Sequence, residues 1–569
     1  IPVFNIAELK TVGKKIDGFG IGFRSVADYS YKIGNNDQLN VEYRQNGLDL
    51  FGTFQYRLQH LKETGETVQM TDVDTLWKQR THSTDLGKNI SYFGQFGFNY
   101  EINKNHSFGA TYELTSAPCD KMSNDNRTEV YADHELYDVW NTNAFSIEKT
   151  YPTHHSNFYY HGDINSLEID LNADVLVGKN KEEENIKELS LNYDDLSMTT
   201  FSETSNKLYA GKLVLAYPLF KGRISGGSEY SYIHRISDFS GFGNQILGTS
   251  DKIRERNLAF FLNCTWSLGG IDASAGLRYE DVKSDFYENS IYQSDESKHY
   301  RNLFPSLSLK GSVGKVHWGL GYHIQVARPY YEQLKNEIHY GNRFTYLGGT
   351  PNLQPTYIHT AEMRAAYRDL QLSVGYNRYN DDILFSIEQA TSDPKITLIK
   401  FRNVEHRDEM TASLVYSPGI GCWRPEWVAS VQSQWFNIGY LDGTKNMNGI
   451  TVGIRWNNSF QLPMGYIFRL NGTYTGKGVY QNSFTRPVSC FGVSIYKSFF
   501  NGRLDCTVEG NDLFHTVRDA TTQYDNKVKI YRETQRNTQE VKLTVHYKFN
   551  LQKSKYKGTG AGLDEQQRL

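Results

Sequence analysis

Between Val316 and Ala327 the chain alternates strictly. Val316, Trp318, Leu320, Tyr322, Ile324 and Val326 are large and apolar, and His317, Gly319, Gly321, His323, Gln325 and Ala327 between them are small or polar. A period of two belongs to an extended strand with two unlike faces. The pattern stops at Arg328-Pro329 and resumes with Ala361, Met363, Ala365 and Tyr367 against Glu362, Arg364, Ala366 and Arg368. After a tight turn at Arg368-Asp369 it returns as Leu370, Leu372, Val374 and Tyr376. Alternation alone leaves two readings open, a soluble sandwich wetted on one side or a membrane wall with hydrocarbon on one side.

The spacing of the turns separates them. Short turns recur near Asn46, Lys104, Asp163, Lys221, Gly270, Gly314, Asp369, Gly419, Met464 and Asn501. Between them lie long polar segments, among them 60–88, 115–145, 178–205, 235–252, 283–302, 328–356, 386–398 and 516–538. Ten turns flank twenty strands, and one more at each end raises the count to about 22. Tight turns on one side and long loops on the other are the asymmetry of an outer-membrane barrel. Tyr209, Leu213, Leu215 and Tyr217 add an aromatic at each end of an apolar middle, over the roughly 9–11 residues that cross a bilayer as a tilted strand. The fold class expected is therefore all-β, a transmembrane antiparallel β-barrel over 18–550, with short periplasmic turns, long extracellular loops and a periplasmic tail over 551–569.

Composition agrees with this and removes other classes. The 40 Tyr, 31 Phe and 48 Gly are spread along the chain with only 13 Pro, which favours long strands over helices. A mean hydropathy of -0.59 and the lack of an 18-residue apolar run exclude membrane helices but not a barrel, whose lumen face dilutes its apolar residues. A net charge of -3 gives no footprint for nucleic acid. Cys119, Cys264, Cys422, Cys490 and Cys506 are scattered, and no catalytic or phosphate-loop motif appears. No enzyme activity and no cofactor is expected.

The segments Phe304-Pro305-Ser306-Leu307, Gln325-Val326-Ala327-Arg328-Pro329-Tyr330-Tyr331-Glu332-Gln333-Leu334, Gly349-Thr350-Pro351-Asn352-Leu353-Gln354-Pro355 and Gly510-Asn511-Asp512-Leu513-Phe514 resemble the signature of TonB-dependent outer-membrane receptors. The tail Tyr556 to Glu565 resembles the one that follows the barrel in their outer-membrane beta-barrel-protein subfamily. The resemblance implies active uptake of a metal chelate, cobalamin, peptide or glycan. As partners it implies outer-membrane lipid, a plug domain, a TonB-type energy-transducing complex and a possible outer-surface lipoprotein. No stretch here matches a plug, so 1–17 is read as the plug-to-barrel junction of a longer receptor. Arg328, Pro329, Tyr330, Gly349, Pro351, Asn352, Leu353 and Pro355 then form a motif loop that is structural or ligand-facing. Glu42, Arg44, Arg57, Glu362 and Arg364 fall on the lumen face as plug-contact candidates. The other reading is a passive porin or a structural or adhesive barrel without energy coupling.

His154, His155 and His161 invite a haem or metal site, but no carboxylate or Cys completes a set at useful spacing, so they read as solvated loop or interface histidines. Asp163, Asp170, Asn172 and Asp174 lack calcium-loop spacing and read as turn and lumen residues. The run Lys179 to Glu184 reads as a solvated outer loop. The face assignment has a direct check in the closing strand. Leu543→Arg puts a charge against hydrocarbon at roughly 2–4 kcal/mol, whereas Lys542→Leu alters only the lumen face. Refolding yields in lipid should fall sharply for the first and little for the second, and equal tolerance of both would overturn the alternation.

Overall fold

The computed structural model describes residues 17–242, 248–391, 393–552 and 554–569. Of the expected junction 1–17, only Asp17 lies among them. Twenty-two wall strands form a closed antiparallel barrel among the described residues. Gly18–Tyr29 pairs with Ile33–Gln45 on one side and with the last strand, Glu540–Phe549, on the other, in the register Ile21↔Phe549 to Tyr29↔Val541. This pairing removes the sheet edge, whose bare N–H and C=O groups would each cost several kcal/mol in hydrocarbon.

All ten short turns lie at one end of the barrel. The first shows why the sequence chooses them. Asn46 and Gly47 take φ of 49° and 84°, the paired positive values of the two-residue turn that matches strand twist. The two faces also fall as the alternation requires. Tyr209, Leu213, Leu215 and Tyr217 are 36–48% exposed on the outer face, while the interleaved Leu208 and Ala216 are at most 4% exposed inside. Cys422 sits exposed at the short-turn end, and five described cysteines are free.

The polar segments read as loops differ from expectation. Most of 60–88, 115–145, 178–205, 235–252 and 283–302 is paired strand, and Glu135–Ile164 runs for 30 residues, about three times what a bilayer needs. The run Lys179 to Glu184 lies within the strand Leu167–Ser190 and pairs with Thr200 to Ser205. Beyond the hydrocarbon both faces of the wall are wet, so selection for alternation lapses while the backbone ladder continues. The segment 516–538 likewise holds a hairpin, Asp519–Asp525 with Val528–Arg536, whose second arm pairs with Glu63 to Thr71.

The second difference concerns the tail. Residues 551–552 and 554–569 do not hang below the barrel but lie along its inner wall, ending in a short helix, Leu563–Arg568. Their main-chain donors find buried acceptors there that the periplasm would not supply. Sidedness can be read chemically with one native and one added thiol. A membrane-impermeant maleimide outside intact cells should label Asp195→Cys, at the exposed tip 191–195, and leave Cys422 unlabelled. Labelling of Cys422 under those conditions would invert the topology.

Candidate functional site in the barrel lumen

The tail meets the wall through a file of carboxylates and amides that strand alternation points inward. Gln552 N–H donates to Glu42 at 3.0 Å, and Arg44 reaches Gln552 Oε1 at 2.7 Å while pairing with Glu42 and Asp49 at 3.0 Å. Lys555 gives its N–H to Asp49 at 2.8 Å and its ammonium to Glu101 at 3.1 Å. Tyr556 hydrogen-bonds Asn157 and sets its ring edge-on to Tyr159, with centroids 4.8 Å apart. Ala561 and Gly562 donate to Asp174 at 2.7 Å and Glu229 at 3.0 Å. Close approach explains the glycines here. A Cβ on Gly562 would lie 2.7 Å from the Ala210 Cβ, and one on Gly558 would lie 2.5 Å from Asn157 Oδ1.

At its end the tail locks the motif loop. The Arg568 guanidinium forks onto Glu255 at 2.5 and 3.2 Å, donates to Pro329 O at 2.9 Å and lies 4.3 Å from the Tyr331 ring centre. Tyr331 donates its hydroxyl to the same Glu255 at 2.9 Å. Burial pushes that hydroxyl well above its usual range, so it keeps its proton and stays a donor. Burial opposes the charge on Arg568, but Glu255 against it holds the guanidinium above its ordinary value. Around this pair Leu208, Ile233, Ile253, Phe286, Tyr331 and Ala561 make an apolar core inside the lumen.

The motif loop folds inward. Arg328 is buried on Glu280 at 2.5 Å, and the Pro329 carbonyl serves Arg568. Tyr330 stays 57% exposed. Gly349 leaves no room for a side chain, since a Cβ there would lie 2.3 Å from Lys335 O. Pro355 and Leu353 are buried, Pro351 is half-buried, and Asn352 is exposed, 3.3 Å from Lys298. Beyond Arg328 the hairpin Ile338–Asn342 and Thr345–Gly348 crosses to the far wall, where Tyr340 and Arg343 meet Glu188 at 2.9 and 2.6 Å and Phe344 packs on Trp140 at 5.0 Å. Most of the loop's aromatics are consumed in folding it, and Tyr330 is the one left open to the vestibule.

Of the five plug-contact candidates, Glu42 and Arg44 are engaged by the tail, Arg57 is exposed, and Glu362 and Arg364 pair at 2.8 Å. The three histidines do not converge. His154 faces outward on Tyr112 at 2.6 Å, while His155 bridges Glu113 and Asp174 in the lumen. His161 bonds Asp170 at 2.6 Å near Glu168, but Arg223 already holds Glu168 at 2.7 Å, so this group is a neutralised ion-pair set. Glu255 and Arg568, at the centre of the interior, carry no motif signal of their own, whereas Tyr331 lies in the signature segment Gln325 to Leu334. Gly558, Gly560 and Gly562 at alternate positions, in a tail that carries Lys553, Lys555, Lys557 and Arg568, were the available hint.

The outer membrane protein beta-barrel family matches residues 162–547. The chain belongs to this family. It is a protein of the outer membrane. Its structure is similar to the FrpB iron transporter (F3-3 variant) from Neisseria meningitidis at TM-score 0.58 and 10% identity, covering 94% of this chain and 82% of that one. The siderophore receptor PirA from Pseudomonas aeruginosa gives 0.52 and 12% over 94% and 81%, and the outer membrane transporter YddB from Escherichia coli gives 0.56 and 10% over the same shares. At such identities the likeness is one of fold. A search of curated proteins gives no match.

The lock at Glu255 generates two expectations. Arg568→Leu strands a buried carboxylate at about 3–5 kcal/mol, whereas the pair of changes Glu255→Leu and Arg568→Leu should cost far less. Tail release, read as digestion by carboxypeptidase, should follow that order. Burial also raises the Glu565 carboxyl above the ordinary value of 4.5. A group whose value rises on docking stabilises the docked state below its free value and loses that contribution as pH climbs through the docked one. Digestion should therefore increase as pH rises from about 4.5, and Glu565→Gln should flatten the profile.

Proposed function

We propose that the chain is the barrel of a TonB-dependent receptor that imports a scarce nutrient across the outer membrane. The observation that supports this best is the uneven lining of the lumen. The tail packs against one arc of wall, from Ile33–Gln45 round to Thr249–Leu268, and the motif loop carries that lining on over Ile271–Glu288 to Thr397–Tyr416. On the opposite arc the inward Glu426 and Arg455 keep 46% and 56% of their side-chain surface exposed, 3.5 Å apart. A passive pore has no use for a buried core on one side of its channel. A receptor does, because a fixed arc supports the ligand loop while a polar, weakly packed arc accepts a movable plug.

In this reading Arg57, Glu362 and Arg364 face the plug, and Tyr330 and Asn352 meet ligand at the vestibule. The similarity to iron and siderophore transporters makes a ferric chelate the first ligand class to test, ahead of cobalamin, peptide or glycan. An energy-transducing complex on the inner side would pull the plug, and an outer-surface lipoprotein would fit above the long strands. The test compares uptake of labelled ferric chelates by cells with and without that energy-transducing complex. Saturable uptake confined to cells that have it is expected, and equal, non-saturating permeation in both would favour the passive barrel.

A further inference from the structure

We propose that the outer face of the wall, just above the hydrocarbon band, binds the phosphorylated headgroup of a glycolipid in the outer leaflet. The site lies on the strands Leu48–Asp72, Leu76–Glu101 and His106–Ala132, away from the lumen, and stands on the membrane location alone. Register decides which groups meet. His60 is directly opposite Lys88, and Lys88 is directly opposite Lys121, so three basic side chains form one cross-strand row on one face. Like charges placed this way, as Lys88 and Lys121 are, destabilise a sheet. Lys32 and Lys62 close on the same place, with their ammoniums 5.1 and 5.3 Å from the Tyr31 ring centre. All four lysines are exposed, and a groove of about 140 Å³ runs between Tyr31, Lys32, His60, Lys88, Lys121 and Phe145.

No carboxylate lines this groove. Among the described residues no acidic side chain pairs with Lys32, Lys62, Lys88 or Lys121. A neighbouring site shows the usual remedy. Lys149 and Lys181 are also directly opposite each other, but there Glu203 bonds Lys181 at 2.5 Å and takes Lys179 as well. The row at Lys88 carries the same repulsion with its counter-charge left to come from outside.

Depth identifies the source of that charge. From the turn at Asn46-Gly47 the outward residues Leu48, Leu50, Phe54, Tyr56 and Leu58 span eleven residues, which is the length of a bilayer crossing. Tyr56 and Tyr92 sit 5.5 Å apart near its outer limit, where aromatic girdles mark the interface. His60, Lys62, Lys88 and Lys121 follow immediately, at the level of the headgroups. A lipid phosphate beside an apolar band meets both halves of this surface, whereas a free anion meets only the charge. Lysine serves such a ligand as a point charge that needs no fixed orientation.

The test uses the whole chain in nanodiscs of zwitterionic phospholipid, with added bis-phosphorylated lipid A, its dephosphorylated form, or inorganic phosphate. The readouts are lipid retained by native mass spectrometry and the heat-induced mobility shift. At about 1 kcal/mol per lysine, the Lys88→Gln, Lys121→Gln double variant should retain phosphorylated lipid on the order of 30-fold less than the wild type. Lys315→Gln, at a short turn, should match the wild type. In zwitterionic lipid alone the double variant should be at least as heat-resistant as the wild type, because a repulsion has been removed. A pair of changes at Lys32 and Lys62 to Gln gives an independent variant with the same expected direction. Equal retention by wild type and variants, equal retention of the dephosphorylated lipid, or full protection by inorganic phosphate would each overturn the assignment.

Discussion

Hydrocarbon leaves a backbone no partner except itself, and the rest of this molecule follows from that requirement. Closure of Gly18–Tyr29 onto Glu540–Phe549 brings the two ends of the wall together at the short-turn side. It therefore delivers residue 551 to the mouth of the lumen, beside Glu42 and Arg44 on the second strand. Where the tail begins is thus a consequence of how the barrel shuts. A wall of about this many strands encloses more space than its own side chains fill, so any segment delivered there meets a largely polar cavity.

Legibility in the sequence tracked the same boundary. Where hydrocarbon lies on one face, the period of two is enforced, and residues 209–217 or 541–549 reveal both their strand character and their orientation. Turns were legible because each needs special residues, as Asn46-Gly47 does. Above the membrane the enforcement ends, and 115–145 or 178–205 looks like loop although strand pairing runs through most of it. Period reports the difference between two faces, and two wet faces do not differ.

The interior was harder to read for another reason. Glu42 and Arg44 could be assigned to the lumen from alternation, yet what they touch depends on a segment about five hundred residues away in the chain. The motif loop was visible as a motif, but whether its residues face ligand or fold the loop turns on contacts that no local spacing encodes. Gly349 is required because two main-chain carbonyls pass close to it, and Tyr331 is buried because the last helix covers it.

Glu255 ties these levels together. It sits on a wall strand, accepts from Tyr331 of the motif loop, and pairs with Arg568 at the end of the tail, all at a buried position. A buried carboxylate is tolerable only while its donors stay, so loss of either partner raises the cost of the other's position. Loop and tail are consequently not independent fillings of the lumen. Through Glu255 and Arg568 the motif loop at one mouth is joined to a tail whose first contacts lie at the closing seam at the other. The charge cluster that joins the two mouths is built from the wall, the loop and the tail together.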